Sequence, residues 1–179
     1  VEKPSEPISK RANIGLYYVR NWQLLYEGID HVLRQPANKG EYYLTDAFQY
    51  MIDRGARIRV EDVAGWYDAG QIETLLETNR TMLEKGRARR PAALGEGATV
   101  VEPVYIEEGV VVERSTVGPN VSVSAGTVIR DSELRDTIVG EKSHLAGCRL
   151  HDSLLGDRVK VSGLTGVVNL GDDAAVAAG

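Results

Sequence analysis

A single cysteine, Cys148, leaves no partner for an intramolecular disulfide and excludes a multi-cysteine zinc site, as expected in a reducing compartment such as the cytoplasm. Long apolar runs are missing as well. Nothing approaches the ~18 residues of a membrane span, and Val1-Glu2-Lys3-Pro4 is no signal peptide, so neither a membrane nor an export route is expected. Lys and Arg form no face-sized cluster, and the formal net charge is −5 with a pI near 5.3, which disfavours nucleic acid as a partner. Aromatics amount to only 6% of residues. What is present is 179 residues, 42% hydrophobic and 26% charged, the composition of one large or two small globular domains. The chain opens without Met, in what reads as a strand ending, and therefore reads as part of a longer protein.

The aromatics are unevenly placed. Residues 1–94 hold ten of the eleven, whereas residues 95–179 hold only Tyr105 but 16 of the 21 Val and 12 of the 19 Gly. Two units with different core chemistry follow, joined near Gly86 to Leu94, with expected domains at 1–90 and 91–179. Arg87, Arg89, Arg90 and Pro91 interrupt the pattern there as a solvated linker or an anion site.

The first part alternates strand and helix. Ile14 to Val19 is an apolar run that predicts a strand buried on both faces. Trp22, Leu25, Ile29, Val32 and Leu33 recur at helical spacing, with Pro36 beyond the end. Thr45 is placed to cap a second helix carrying Phe48, Met51 and Ile52 and ending at Gly55. Ile58, Val60 and Val63 alternate with polar residues as in a half-exposed strand, and Ile72 to Leu83 form a third amphipathic helix. A doubly wound sheet needs more strands than these.

The second part repeats. Ile106, Val112, Val117, Val123 and Ile129 recur at near-hexad spacing, and the series resumes with Val139, Leu145, Leu150, Leu155 and Val161. Val117-Gly118-Pro119, Val139-Gly140-Glu141, Leu155-Gly156-Asp157 and Leu170-Gly171-Asp172 share one shape. β-Branched near-hexads predict a parallel β-helix, whose corners call for glycine or small residues and whose narrow interior leaves no room for aromatics.

Four stretches carry a resemblance: Glu2-Lys3-Pro4, Asn13 to Tyr17, Gly40-Glu41-Tyr42-Tyr43-Leu44-Thr45-Asp46, and Gly65-Trp66-Tyr67-Asp68-Ala69-Gly70. In this order, and followed by hexads, they resemble the sugar-1-phosphate nucleotidyltransferases with a C-terminal left-handed β-helix, above all the long-form glucose-1-phosphate thymidylyltransferases. The resemblance implies an α/β plus all-β chain: a partial Rossmann-like nucleotidyltransferase domain followed by a left-handed parallel β-helix. It implies transfer of a nucleotidyl group to a sugar 1-phosphate with release of pyrophosphate. The substrates would be glucose 1-phosphate and dTTP, the cofactor Mg²⁺, and the assembly a homo-oligomer through the β-helix. The family's Gly-rich phosphate loop, G-x-G-T-R-L, does not occur in this sequence, so this chain alone is expected to be inactive.

By resemblance, Lys3 holds the sugar phosphate and Glu2 accepts from sugar hydroxyls. Asn13, Gly15, Glu41 and Trp66 line the sugar site. Asp68 binds Mg²⁺ together with a carboxylate from elsewhere, so Lys3 and Asp68 are the catalytic candidates. Ala69 stands where the family often has Thr. Each motif also has a plain reading: an exposed turn for Glu2-Lys3-Pro4, helix capping for Thr45 and Asp46, a core position for Trp66, and a turn aspartate for Asp68. His144 and His151 raise the β-helical acyltransferases, which need a protruding loop that the hexads lack; surface histidines explain them more simply. Cys148 reads as a small buried packing residue. Two alternatives stay open: a uridylyltransferase for N-acetylglucosamine 1-phosphate or a guanylyl relative acting on mannose, and a noncatalytic β-helical assembly module.

Overall fold

The structure, a computed structural model, describes residue 11 and residues 13–38 and 40–178. They fall into two compact units, Val1–Trp66 and Tyr67–Gly179.

In the first unit, helix α1 spans Trp22–Leu33 and is capped by Asn21, whose Oδ1 accepts the Leu24 N–H at 3.2 Å. Helix α2 spans Leu44–Asp53 and packs on α1. They meet tightly at Gly28, where a Cβ would stand 2.9 Å from the Ala47 carbonyl oxygen. Ala47 and Met51 are buried there, and Gly55, at φ +85°, ends α2 by donating its N–H to the Ile52 carbonyl at 2.9 Å. Thr45 is not the cap. Tyr43 holds the extended backbone of the cap position, and Thr45 lies inside the first turn with Asp46.

The strands expected at 14–19 and 58–63 are not formed. Leu16 and Tyr18 are 80% and 88% exposed, and Val60 69%. A strand needs a neighbour for its N–H and C=O groups, and among the described residues none pairs with either run.

The second unit is a three-sided parallel β-helix. One face stacks 99–100, 116–117, the start of 133–139, the start of 149–155, and 165–166. The next stacks 104–106, 121–123, the ends of the same two long strands, and 169–170. The third stacks 111–113, 128–130, 144–146, 160–162 and 175–177. The backbone of Arg89 already pairs with this stack, donating to the Val104 carbonyl at 2.9 Å and accepting the Ile106 N–H at 2.7 Å. Within the expected linker, Arg89 is thus hydrogen-bonded to the coil.

Every residue of the predicted inward series, Ile106 through Val161, is buried in one continuous core. Leu134 completes it, between Ile129 and Val139. The coils are shorter than three hexads. Thr116 stands beside Glu133, 17 residues on, Glu133 beside Arg149, 16 on, and Lys160 beside Ala175, 15 on. Strands 133–139 and 149–155 run through a corner with one left-handed residue each, Asp136 at φ +45° and Asp152 at φ +46°, which removes a turn. The corners are not all glycine or small residues, contrary to expectation. Arg114, Asn120, Asp131, Lys142, Arg158 and Asp173 also take positive φ, and Arg–Asp forks reach from one coil to the next: Arg114 to Asp131 at 2.7 and 2.9 Å, and Arg158 to Asp173 at 2.6 and 3.0 Å. Gly118 lies at a different corner from Gly140 and Gly156. At the latter two, a Cβ would meet the Asp one coil on at 2.4 Å, so no other residue fits.

Inside the corners, buried hydroxyls replace the aliphatic column. Ser132 and Cys148 each donate a backbone N–H, at 3.0 Å, to the hydroxyl one coil before them, Ser115 and Ser132. Ser143 and Val159 do the same to Thr127 and Ser143, at 3.1 and 3.0 Å. These contacts satisfy backbone donors that the tight turn removes from the strand ladder. Cys148 occupies a serine-like place, fully buried.

Helix α3 (Ile72–Met82) and the π-turn Leu83–Arg87 belong to this second unit. Asn79 donates its Nδ2 to the Asn120 carbonyl at 3.1 Å and accepts from the Ser122 hydroxyl at 2.5 Å. Arg80 Nη2 lies 2.6 Å from Asp136 Oδ1, which also accepts from Asn120 Nδ2 at 2.9 Å. Partial burial pushes the Asp136 carboxyl up, but the Arg80 and Asn120 hydrogen bonds and the nearby Arg80 and Arg135 charges outweigh it and hold it below the usual carboxylate range. A depressed carboxyl contributes its stability above its unfolded pKa, about 3.9, and loses it as pH falls through the folded value. Asp136→Asn should therefore cost about 1–2 kcal/mol near neutral pH. Melting curves of the two forms should converge in strong acid; a difference that persists there would contradict the pairing.

Candidate functional site

The Asp68 segment is an irregular loop that feeds α3. Asp68 is half-buried, and its Oδ1 accepts the Gly70 N–H at 3.0 Å, closing an Asx turn that fixes the carboxylate before the helix begins. Among the described residues none donates to Oδ2, so one carboxylate oxygen is open. A Cβ on Gly70 would come within 3.2 Å of Asp68 Oδ1, so any larger residue would crowd the group. The Asp68 backbone carbonyl accepts the Thr78 hydroxyl of α3 at 2.8 Å. One residue earlier, the Tyr67 hydroxyl meets Lys85 Nζ, which also lies 4.7 Å from the ring centre. Thr78 and Lys85 left no signal in the sequence: their partners lie 10 and 18 residues earlier, across the loop and part or all of α3, and neither belongs to a motif.

Asn13 and Gly15 share one tight turn in the first unit. Asn13 Oδ1 accepts the Gly15 N–H at 2.9 Å, its Nδ2 meets the Tyr17 hydroxyl, and Gly15 sits at φ +78°. The Tyr17 ring lies 4.7 Å from Phe48 of α2, so this turn is seated against that helix. Glu41 lies in a turn just ahead of α2, closed by reciprocal backbone hydrogen bonds with Asn38 at 3.0 Å. Trp66 is 56% exposed among the described residues. Glu2 and Lys3 lie outside the described residues.

The remaining candidates are ordinary surface or core groups. His151 Nδ1 sits 2.9 Å from Asp152 Oδ2 at a corner, and His144 is exposed on the third face. Among the described residues no three His, Cys, Asp or Glu side chains cluster as a ready-made metal site. Asp68 could therefore supply one oxygen ligand of a hard cation, with the rest coming from substrate phosphates, water or another carboxylate. One open, preoriented carboxylate oxygen fits such a partial site. No helix among the described residues is long and apolar enough to cross a membrane.

Residues 1–85 match the model of the nucleotidyl transferase family. The chain is 31% identical over 180 residues to a glucose-1-phosphate thymidylyltransferase of Streptomyces griseus, an alignment covering 90% of this chain and 50% of that protein. It is 32% identical over 168 residues to the glucose-1-phosphate thymidylyltransferase of Streptomyces antibioticus, covering 93% of this chain and 45% of the relative. It is also 31% identical over 177 residues to the low-salt glycan biosynthesis nucleotidyltransferase Agl11 of Haloferax volcanii, covering 87% and 48%. The chain thus spans about half the length of the curated relatives it matches.

Proposed function

We propose that this chain, whose residues 1–85 match the nucleotidyl transferase family model, is the sugar-binding part of a sugar-1-phosphate nucleotidyltransferase that works in the cytoplasm and assembles through its β-helix. The substrates proposed are glucose 1-phosphate and dTTP, the nucleotide named on the thymidylyltransferase relatives rather than on any base-reading residue of this chain. The observation that carries the reading is Asp68: a carboxylate with one oxygen fixed by Gly70 and the other open, within the family-matching segment.

Each residue then has a task. Lys3 places an ammonium charge on the sugar phosphate and offsets its repulsion from the triphosphate. Glu2 accepts from sugar hydroxyls, and Asn13, Gly15, Glu41 and the Trp66 ring orient the sugar so that its phosphate oxygen is aligned for in-line attack on the α-phosphorus. Asp68 would supply one carboxylate ligand to a Mg²⁺ ion, which would contribute neutralisation of phosphate charge. The protein does no covalent chemistry; it aligns and neutralises.

A sugar-binding part without a phosphate loop should not hold the nucleotide. Calorimetric titration of this 179-residue chain with dTTP and Mg²⁺ is expected to show no binding in the micromolar range. Micromolar affinity would overturn the assignment of nucleotide binding to residues outside this chain.

A further inference from the structure

Three consecutive residues of α3 face two ways. Thr78 reaches back to the loop and donates its hydroxyl to the Asp68 carbonyl at 2.8 Å. Asn79 and Arg80 reach to the β-helix, the first to Asn120 and Ser122 at 3.1 and 2.5 Å, the second to Asp136 at 2.6 Å. Leu83, one turn further, is buried. The β-helical corner that receives them is itself fixed, since Asn120 and Asp136 both hold left-handed backbone and are bonded to each other at 2.9 Å.

We infer that Thr78 is a positioning residue for the Asp68 carboxylate, and that the β-helix, through Asn79 and Arg80, is the frame against which that carboxylate is set. The inference rests on the reading of Asp68 as a metal ligand. A loop aspartate is free to swing, whereas a ligand shared between protein and substrate phosphates must be held to a fraction of an ångström before the metal arrives. Two bonds do this on either side of the Asp68 Cα: Gly70 N–H to the carboxylate and Thr78 hydroxyl to the carbonyl. The second is anchored through α3 to a stacked β-core, whose strands are mutually hydrogen-bonded from coil to coil. The β-helix is then part of the precision of the active site, and a change at its Asn120–Asp136 corner reaches the metal ligand through one helix turn.

The test uses Thr78→Val, which keeps the shape and removes the hydroxyl, with Thr78→Ser as rescue and Asn79→Ala as the β-helical end of the path. The first readout is amide exchange at Gly70 in this chain, which reports the Asx turn without any metal or turnover. Thr78→Val should speed that exchange about tenfold, the scale of one lost hydrogen bond, and Thr78→Ser should restore it. Asn79→Ala should act in the same direction, by about threefold. In the whole protein, Thr78→Val should raise the half-saturating Mg²⁺ concentration several-fold while turnover at saturating Mg²⁺ and the melting temperature change little. Unchanged Gly70 exchange in Thr78→Val, or failure of Thr78→Ser to restore it, overturns the positioning role. Faster Gly70 exchange with an unchanged Mg²⁺ requirement overturns the link to the metal. If Asp68→Asn also leaves the Mg²⁺ requirement unchanged, the metal reading of Asp68 is what has failed.

Discussion

Val123→Asp is expected to unfold the β-helix. Val123 is fully buried and stacks in register between Ile106 one coil before and Val139 one coil after. A carboxylate there would lie among aliphatic side chains with no donor to accept it, and would either stay charged at a cost of several kcal/mol or take up a proton at a smaller but still large cost. Domains of this size are stable by only about 5–15 kcal/mol in total. Because each coil rests only on its neighbours, a fault in one coil also weakens the interfaces on both sides. Ser162→Asp is the control: it follows the buried Val161 but points outward. Circular dichroism melting should show loss of the transition, or a drop of many degrees, for Val123→Asp and almost none for Ser162→Asp. A Val123→Asp protein melting within a few degrees of the parent would contradict the inward assignment.

The β-helix was legible because its signal is repetitive and local. Aliphatic residues must point inward at every coil, which imposes a near-hexad spacing that an ordinary β-sandwich does not need. The details lay elsewhere. Leu134 was missed because a leucine among Glu133, Arg135 and Asp136 has no β-branched neighbours to mark it. Coil length was hidden because a single aspartate, Asp136 or Asp152, can take the left-handed backbone of the corner and shorten the turn, and nothing in the local pattern tells such an aspartate from one on an ordinary strand. Gly118 looked equivalent to Gly140, although the two occupy different corners; a Gly beside a Val identifies a bend without saying which one.

In the first unit the helices were legible from their apolar faces and the strands were not, since a strand is completed by its partner rather than by its own sequence. Ile14 to Val19 carries the right residues but has no described neighbour to pair with. Of the candidate site, Asp68 stood out by its aromatic and glycine flanks, and the structure adds the Asx turn that holds its carboxylate. The tie to Thr78 depends on how α3 returns past its own loop, which no motif records.

Asp68→Asn is expected to have the largest functional effect. Asparagine keeps the shape, keeps an oxygen able to accept from Gly70, and removes the charge that, on the proposed reading, would balance a divalent cation. Turnover in the whole protein should fall on the order of 10²-fold or more, as when charge stabilisation in the transition state is lost. Stability should hardly move, because a half-exposed loop carboxylate has little packing to lose. The direct measurement is pyrophosphate release from glucose 1-phosphate and dTTP by the whole protein and its Asp68→Asn variant across a Mg²⁺ titration, with melting temperatures alongside. The account predicts Mg²⁺-dependent release by the parent and a variant that melts normally, turns over at a small fraction of the parent rate, and needs far more Mg²⁺. Near-normal release by the variant at low Mg²⁺, or no release by the parent with any sugar phosphate and triphosphate in a panel, would contradict it.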